Sequence, residues 1–372
     1  MITIKEVTRR SDLLRFIKFP FRLYKNNPYW VPPIIKDELR SFSKSNPIFN
    51  TVDARFYLAY KEDKVVGRIA AIVNSIEIKQ QQKPKVRFGW FEFIDDLEVS
   101  KALLKKVEEL GREYNLEYME GPVGFTNMDK AGMLTFGFDR IATMIGLYNY
   151  EYYPKHLETL GFQKEAEWLE YTFNAQNADV SNAIQLSELI EKRYNVSSLN
   201  FKTTKDVMPY ADQMFDLLNK TYKDLQSFVP IEKFQIEHYK KKYIPLINPE
   251  FISCVVDNAT KKLVAFAVTI PSLSQAFQKA KGRLFPFGFL HLIKALKHSR
   301  NVEFYLIGID PEYQNKGVTS LIFKELDLTF KKYNIEWIET NPLLEENKKI
   351  QLLWRHFNPI IHKRRKTFRK DF

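Results

Sequence analysis

Apolar and polar positions along the chain recur with two periods, and the change from one to the other marks the elements. Short apolar runs or alternation predict strands in MITIKEV, in VRFGWFEFID, and in LEYMEGPVG, which leaves into a glycine-proline turn; ARFYLAYKEDKVVGRIAAIVN reads as two strands turning at KEDK. Three- and four-residue spacing makes DLEVSKALLKKVEELGREYN an amphipathic helix. A further helix over YYPKHLETL runs into Gly161 and Phe162, and EAEWLEYTFNA is expected to close this half as a strand. In the stretch FPFRLYKNNPYWVPPI at 19–34 prolines limit regular structure, and its Tyr24, Tyr29 and Trp30 suit capping a core or lining a groove.

The polar segment NAQNADVSNA at 174–183 follows neither period and is the expected boundary, giving domains 1–178 and 179–372. Beyond it the same order returns. NVSSLNFKTTK is strand-like, VMPYADQMFDLLNKTYKDL and the segment after VPIEKF are helical, and FISCVVDNATKKLVAFAVTIPS is a hairpin closed by DNATKK. FYLIGIDPEY leads into a helix ending near Tyr333; IEWIETNPL, ENKKIQLLWRHF and KRRKTFRKDF supply strand, helix and terminal strand. Two α/β halves with matching element order suggest duplication, although their residue identity is too weak for a sequence repeat.

Length and composition agree with this division. At 372 residues the chain exceeds what one core usually serves, and 45% hydrophobic with 15% aromatic residues supply ample core. The single cysteine, Cys254, excludes an intramolecular disulfide and a thiolate metal cluster, and within FISCVV it reads as a buried structural thiol. No histidine shows compact metal-ligand spacing, so no metal is expected. The net charge of +12 favours anionic partners, whether nucleic acid, a lipid surface or a polyphosphate. Without a signal-peptide core or about 20 consecutive apolar residues, the expected location is cytoplasmic, with peripheral contact at the inner membrane left open.

The phosphate alternative has a specific address. GIDPEYQNKGVTS at 308–320 lies between a strand and a helix, where the first helical N–H groups lack partners and point together at the loop. Gly317 permits close approach and Lys316 adds positive charge. One glycine near a helix start is equally an ordinary turn.

This loop resembles the acyl-CoA-binding motif of GNAT acyltransferases, Gln or Arg, two variable residues, Gly, one variable residue, then Gly or Ala. Gln314, Asn315, Lys316, Gly317 and Val318 follow it, Thr319 stands in place of the final small residue, and Asp310 and Pro311 precede it as family members do. In the first half, Gly67 to Asn74 (GRIAAIVN), Gly89 to Glu92 (GWFE) and Gly121 to Asp129 resemble a bacterial GNAT-like group that includes relatives associated with ceramide synthesis. The resemblance covers nearly the whole chain and implies an α/β fold of two tandem GNAT-like (acyl-CoA N-acyltransferase) domains with mixed twisted sheets.

What the resemblance implies for chemistry is amine attack on a thioester. The donor is acetyl-CoA or a longer-chain acyl-CoA, held by backbone around Gln314 to Ser320 with Asn347 on its arm and strand donors at Ile307 to Ile309 on the carbonyl. The acceptor is a small-molecule or lipid-related amine such as a sphingoid base. Where many members carry an acidic tyrosine this chain has Trp354, which cannot serve as an ordinary acid. The first-half loop GWFEFIDDLEVSKALL carries Asp95, Asp96 and Glu98, which satisfy a helix start but repel a pyrophosphate, so this half is expected to bind no CoA.

Base candidates are Glu92, Asp129 and Glu339, and acid candidates Tyr148 and Tyr153; each has salt bridging or core packing as its ordinary alternative. Asn127, Asn149 and Tyr152 are candidates for acceptor recognition. Residues 275–300 are a basic, aromatic insertion that suits a lid, an interdomain packing element, an acyl-chain site or a membrane contact. KRRKTFRK, with six basic residues in eight, is expected as a protected edge strand. Two other functions remain open: a non-catalytic acyl-CoA or lipid-binding protein, and a basic protein interacting with nucleic acid, which lacks any recognised binding signature and is therefore unlikely. The oligomeric state is not legible.

Overall fold

The computed structural model describes residues 1–372 except 127, 178, 179, 224, 226, 227, 245 and 246, and except the side chains of 182, 242, 243 and 356. The first elements are β1 (Ile2–Glu6), α1 (Arg10–Leu23), α2 (Ile35–Ser41), β2 (Val52–Lys61), β3 (Lys64–Asn74), α3 (Ser75–Lys79), β4 (Lys85–Phe93), α4 (Leu97–Glu113), β5 (Tyr118–Gly121), β6 (Met133–Phe136), α5 (Tyr152–Thr159) and β7 (Gln163–Asn174). There follow α6 (Ser181–Tyr194), β8 (Val196–Leu199), α7 (Thr204–Tyr222), α8 (Lys233–Tyr243), β9 (Ile252–Asp257), β10 (Leu263–Pro271), α9 (Ser274–Ala280) and α10 (Gly288–His298). The last are β11 (Asn301–Ile309), α11 (Thr319–Lys332), β12 (Trp337–Glu339), β13 (Leu343–Leu344), α12 (Lys348–Trp354) and β14 (Ile360–Asp371).

These elements form two compact units that are interleaved along the chain. Unit 1 is Met1–Leu169, Ser274–Leu292 and His362–Phe372; unit 2 is Glu170–Leu273 and Ile293–Ile361. That departs from the expected single division into 1–178 and 179–372, and the expected cut itself falls outside the described residues.

In unit 1 the strands run β1-β2-β3-β4-β5-β14, followed by the first part of β7. The hairpin at KEDK turns through Glu62 and Asp63, both at positive φ (49° and 60°), and pairs Lys61 with Lys64. This is the handedness that matches strand twist in a two-residue turn. Helix α4 starts at Asp96, whose carboxylate accepts the Glu98 N–H at 3.1 Å, and buries Val99, Leu103, Leu104, Val107 and Leu110 on the sheet. β3 and β4 slip register between Arg68 and Ala70, because Arg68 pairs with Glu92 and Ala70 with Gly89. Trp90, inside that bulge, has φ 44°, a costly conformation for a bulky side chain. A Cβ on Gly89 would lie 2.4 Å from the Val123 carbonyl oxygen, so the glycine of GWFE is set by close backbone approach.

The closing strand of unit 1 comes from the far end of the chain. β14 pairs antiparallel with β5, Phe368 opposite Gly121 and Asp371 opposite Tyr118, and also with β6. KRRKTFRK is therefore an interior strand, which corrects the expectation of a basic edge. Lys363, Arg365 and Thr367 are buried, and the Arg365 guanidinium donates to the Leu147 carbonyl.

Unit 2 orders its strands β7-β12-β11-β10-β9-β8, using β7 from Glu170 onward. Phe173 pairs with Ile338 and Thr172 with Glu339, so the end of EAEWLEYTFNA closes unit 2 where the sequence suggested it would close the first half. Helix α7 opens with a capping box between Thr203 and Asp206 and packs Val207, Ala211, Met214, Leu217 and Leu218 onto the core. Cys254 is wholly buried, as its apolar setting predicts, and burial raises its thiol pKa far above the ordinary range.

Candidate active site

β11 and β12 run parallel and stay paired for three residues only: Asn301 with Trp337, Val302 with Ile338, and Glu303 with Glu339. Beyond Glu303 the pairing ends. On its other side β11 slips register against β10, where Val268 pairs with Leu306 and Thr269 with Phe304, which leaves Tyr305 as the extra residue of a bulge. The carbonyl of Ile307, near the end of β11, accepts from the Tyr222 hydroxyl at 3.0 Å, and that of Ile309 from the Gln314 side-chain amide at 3.3 Å. Burial pushes the Tyr222 hydroxyl up to about 12, so it keeps its proton.

The loop that follows is held from outside. Asp310 accepts the Glu312 N–H at 3.0 Å and receives Lys220 at 2.8 Å, and the Tyr313 hydroxyl donates to Asp257 at 2.8 Å. The backbone hydrogen bond to Asp257 from Thr260 and the side-chain one from Tyr313 hold Asp257 down to about 2. Inside the loop, Asn315 (φ 61°) and Gly317 (φ 75°) turn left-handed. Among the described residues, the N–H groups of Asn315, Gly317, Val318 and Thr319 meet no protein acceptor. The Lys316 ammonium stands 5.0 Å from the Tyr313 ring and 5.3 Å from that of Tyr194. Ser320 is buried and its hydroxyl has no hydrogen-bond partner among the described residues. The successive N–H groups of Gly317, Val318 and Thr319 and a nearby cation at a helix start are the features by which such a loop can hold an anion.

Strand register sorts the neighbouring side chains onto two faces. Glu303, Glu339 and Thr172 lie opposite one another across β11, β12 and β7, and the carboxylates of Glu170 and Glu339 come within 4.8 Å. Glu303 is buried and accepts from Ser272 at 2.6 Å. Val302, Ile338 and Phe173 share the other face, where a cavity of about 390 Å³ is lined mainly by Phe173, Phe304, Phe323, Phe330, Ile338 and Trp354. Trp354 is fully buried there, its ring 4.9 Å from that of Phe304 and 5.7 Å from that of Phe173. Its indole N–H meets no acceptor among the described residues. Asn347 caps α12, accepting the Ile350 N–H at 3.3 Å.

No protein-family model matches the chain. Among curated proteins it is 25% identical over 376 residues to protein YghO of Escherichia coli (strain K12), covering 99% of this chain and 95% of that one. It is 22% identical over 365 residues to the bacterial ceramide synthase of Caulobacter vibrioides (strain NA1000 / CB15N), covering 93% and 91%. Among solved structures, a tandem GNAT protein from the clavulanic acid biosynthesis pathway superposes with a TM-score of 0.59 at 10% identity, covering all of this chain and 98% of that one. The fold is a tandem GNAT fold.

In unit 1, β4 and β5 pair in parallel from Lys85 with Tyr118 to Arg87 with Glu120, and the backbones stay close beyond Gly121, where the Val123 N–H donates to the Phe88 carbonyl at 2.8 Å. The candidates there are spent on internal bonds. Glu92 is clamped by Arg68 at 2.6 and 3.0 Å, a buried ion pair that also explains the arginine of GRIAAIVN. Asp129 accepts from the Thr126 N–H at 2.9 Å and shapes a turn. Asn149 is buried, accepts the Leu134 N–H at 2.7 Å and donates to the Leu134 carbonyl at 3.0 Å. Tyr148 donates to the Phe138 carbonyl at 3.1 Å, Tyr152 to that of Phe93, and Tyr153 accepts the Phe93 N–H at 3.0 Å. Asn127 lies outside the described residues. In this geometry Glu92, Asp129, Asn149 and these tyrosines each make internal hydrogen bonds in unit 1.

Ser100, His156 and Asp95 form a chain of hydrogen bonds at 3.0 Å each, yet Ser100 is wholly buried, so it offers no nucleophile. The buried phenols give a pH expectation. Burial raises Tyr24 and Tyr153 well above the ordinary tyrosine pKa of about 10, so folding stability is intact below pH about 10 and falls as pH rises toward the folded values. Phenolate absorbance and far-ultraviolet circular dichroism should therefore change together in alkali. Complete phenolate titration near pH 10 with structure retained would contradict this packing.

Three features escaped the sequence reading: Glu303, Glu170 and Tyr222. For the two glutamates, a carboxylate among apolar strand residues, as in NVEFYLIGI or WLEYTF, was the available signal, because a buried carboxylate needs a partner.

Proposed function

We propose that unit 2 binds an acyl-CoA and transfers its acyl group to an amine. The observation that carries this reading is the end of the β11–β12 pairing at Glu303, next to a loop whose amides at Asn315, Gly317, Val318 and Thr319 lack acceptors among the described residues. These amides, Lys316 and Ser320 fit a pyrophosphate, Gln314 braces the loop through Ile309, and Ile307 and Ile309 border the parted strands. Asn347 serves α12 as a cap, and in this proposal the cofactor arm passes along that helix start.

The acyl carbon then lies beside the parted strands, with Glu339 and its neighbours Glu303 and Glu170 as the groups able to take the proton of the attacking amine. A C–N bond forms, the C–S bond breaks, and the sulfur leaves as a thiolate. A thiol of pKa about 8.5 is a good leaving group, which makes an acid at Trp354 dispensable. The apolar cavity of about 390 Å³ supports an acyl chain longer than acetyl. A lipid-related amine as acceptor, such as a sphingoid base, is supported by the relative named bacterial ceramide synthase.

Two results test this. Acyl-CoA with a panel of amines should give amine-dependent thiol release, and Glu339→Gln should lower kcat by about tenfold to a thousandfold with little change in KM. An unchanged kcat would remove Glu339 from the reaction. Filling the cavity with Ile338→Trp should shift preference toward short acyl donors; an unaltered chain-length profile in a folded variant would place the chain elsewhere.

The buried Trp354 favours a second reading, acyl-CoA binding without catalysis. It predicts saturable binding and no thiol release with any amine. The nucleic-acid reading loses part of its support, because Lys363 and Arg365 of the basic tail point into unit 1.

A further inference from the structure

The insertion between β10 and β11 changes character at Gly282. Before it, α9 is fastened down: Ala276, Phe277 and Ala280 are buried, and the Gln278 side-chain amide donates to the Pro28 and Trp30 carbonyls at 2.8 and 3.0 Å. The Ile35 N–H donates to the Gly282 carbonyl at 3.0 Å. After it, the chain carries Phe285 and Phe287 at 74% and 70% exposure, and α10 has no buried residue.

An exposed stripe runs from Phe287, just before α10, through Leu290, Lys294 and Lys297 on one face of the helix, graded from aromatic to lysine. Ile293 is exposed beside it, and the Phe285 and Phe289 rings pack together at 5.6 Å. Charge is as one-sided as the apolar surface. Between Leu273 and Val302 there is no Asp or Glu, while Lys279, Lys281, Arg283, Lys294, Lys297 and Arg300 all fall within it.

We propose that this segment is a docking element for an anionic phospholipid surface, with Phe285, Phe287 and Leu290 entering the headgroup boundary and the flanking Lys and Arg meeting lipid phosphates. Arg300 is paired with Glu336 at 2.6 Å, but Lys279, Lys281, Arg283, Lys294 and Lys297 make no ion pair among the described residues, and apolar side chains flanked by such cations complement a layer that is negative outside and hydrocarbon beneath. A nucleic acid would use the cations and leave the phenylalanines in water. No described helix is long and apolar enough to cross a membrane, so the contact is interfacial. The bonds of Gln278 and Gly282 anchor α9, and the exposed Phe285 and Phe287 follow directly after it. The inference stands independently of acyl transfer.

The test is sedimentation of the full chain with vesicles of phosphatidylcholine alone and with about 30% phosphatidylglycerol. Binding to the anionic vesicles should exceed that to neutral ones by about tenfold or more and should weaken in high salt. The double variant F285S/F287S should lose about tenfold in partitioning, as should K294E/K297E, each with an unchanged melting temperature because these side chains are exposed. Equal binding by wild type and both variants, or no binding to anionic vesicles, would overturn the proposal. So would a dimer in sedimentation velocity that F285S/F287S dissociates, because a second copy would then cover the helix.

Discussion

Gly317→Glu should abolish saturable acyl-CoA binding, and Lys316→Glu should weaken it by about tenfold, in titrations followed by calorimetry. Three effects combine at Gly317. Its φ of 75° disfavours any side chain, a Cβ would stand 3.1 Å from Ile190, and a carboxylate would face the amides of Val318 and Thr319 where a phosphate is wanted. Lys316→Glu adds no steric conflict, so it reports the electrostatic part alone. The expected melting temperature is nearly unchanged for Lys316→Glu and slightly lowered for Gly317→Glu. Wild-type affinity in both folded variants would remove the loop from cofactor binding.

Arg87→Met should be among the most damaging single changes to stability. Arg87 and Glu77 are both about 1% exposed and are joined at 2.6 and 2.8 Å, while Lys85 bridges Glu77 at 2.9 Å and Glu120 at 2.6 Å. Burial alone would raise the Glu77 carboxyl, but Arg87 and Lys85 outweigh it and hold the pKa below its ordinary value. Removing Arg87 leaves the buried Glu77 charge with Lys85 alone and takes the donor from the Gly124 carbonyl, a loss of about 3–5 kcal/mol, or on the order of 10 °C in melting temperature for a unit of this size. The double variant R87M/E77Q should recover part of the loss. The Glu77 contribution is present above its unfolded pKa and disappears as pH falls through the lower folded value. A loss under about 1 kcal/mol in Arg87→Met would contradict the account of unit 1 as held by buried charge pairs.

Much of the architecture was legible because it is local. The alternation in VRFGWFEFID and the spacing in DLEVSKALLKKVEELGREYN each bury one face, and the structure places β4 and α4 there. The tandem GNAT resemblance agrees with the solved tandem GNAT protein. What was not legible depends on distant partners. Nothing within KRRKTFRK says that Phe368 will pair with Gly121, or within EWLEYTF that Thr172 will pair with Glu339.

The phosphate loop could be read because strand, loop and helix are adjacent in sequence. Glu339 could be named but not placed, since its neighbours Glu303 and Glu170 are brought to it by strand register. For Tyr148 and Tyr153 a sequence shows the hydroxyls and not the carbonyl, amide and hydroxyl that the fold brings to them.

The most direct test of the central claim is a thiol-release assay on wild-type protein with a long-chain acyl-CoA, run with and without a sphingoid base or simpler long-chain amine, with the product examined by mass spectrometry. The account predicts CoA release that depends on the amine and one amide formed per thiol released. Saturable acyl-CoA binding with no amine-dependent release across the panel would contradict it.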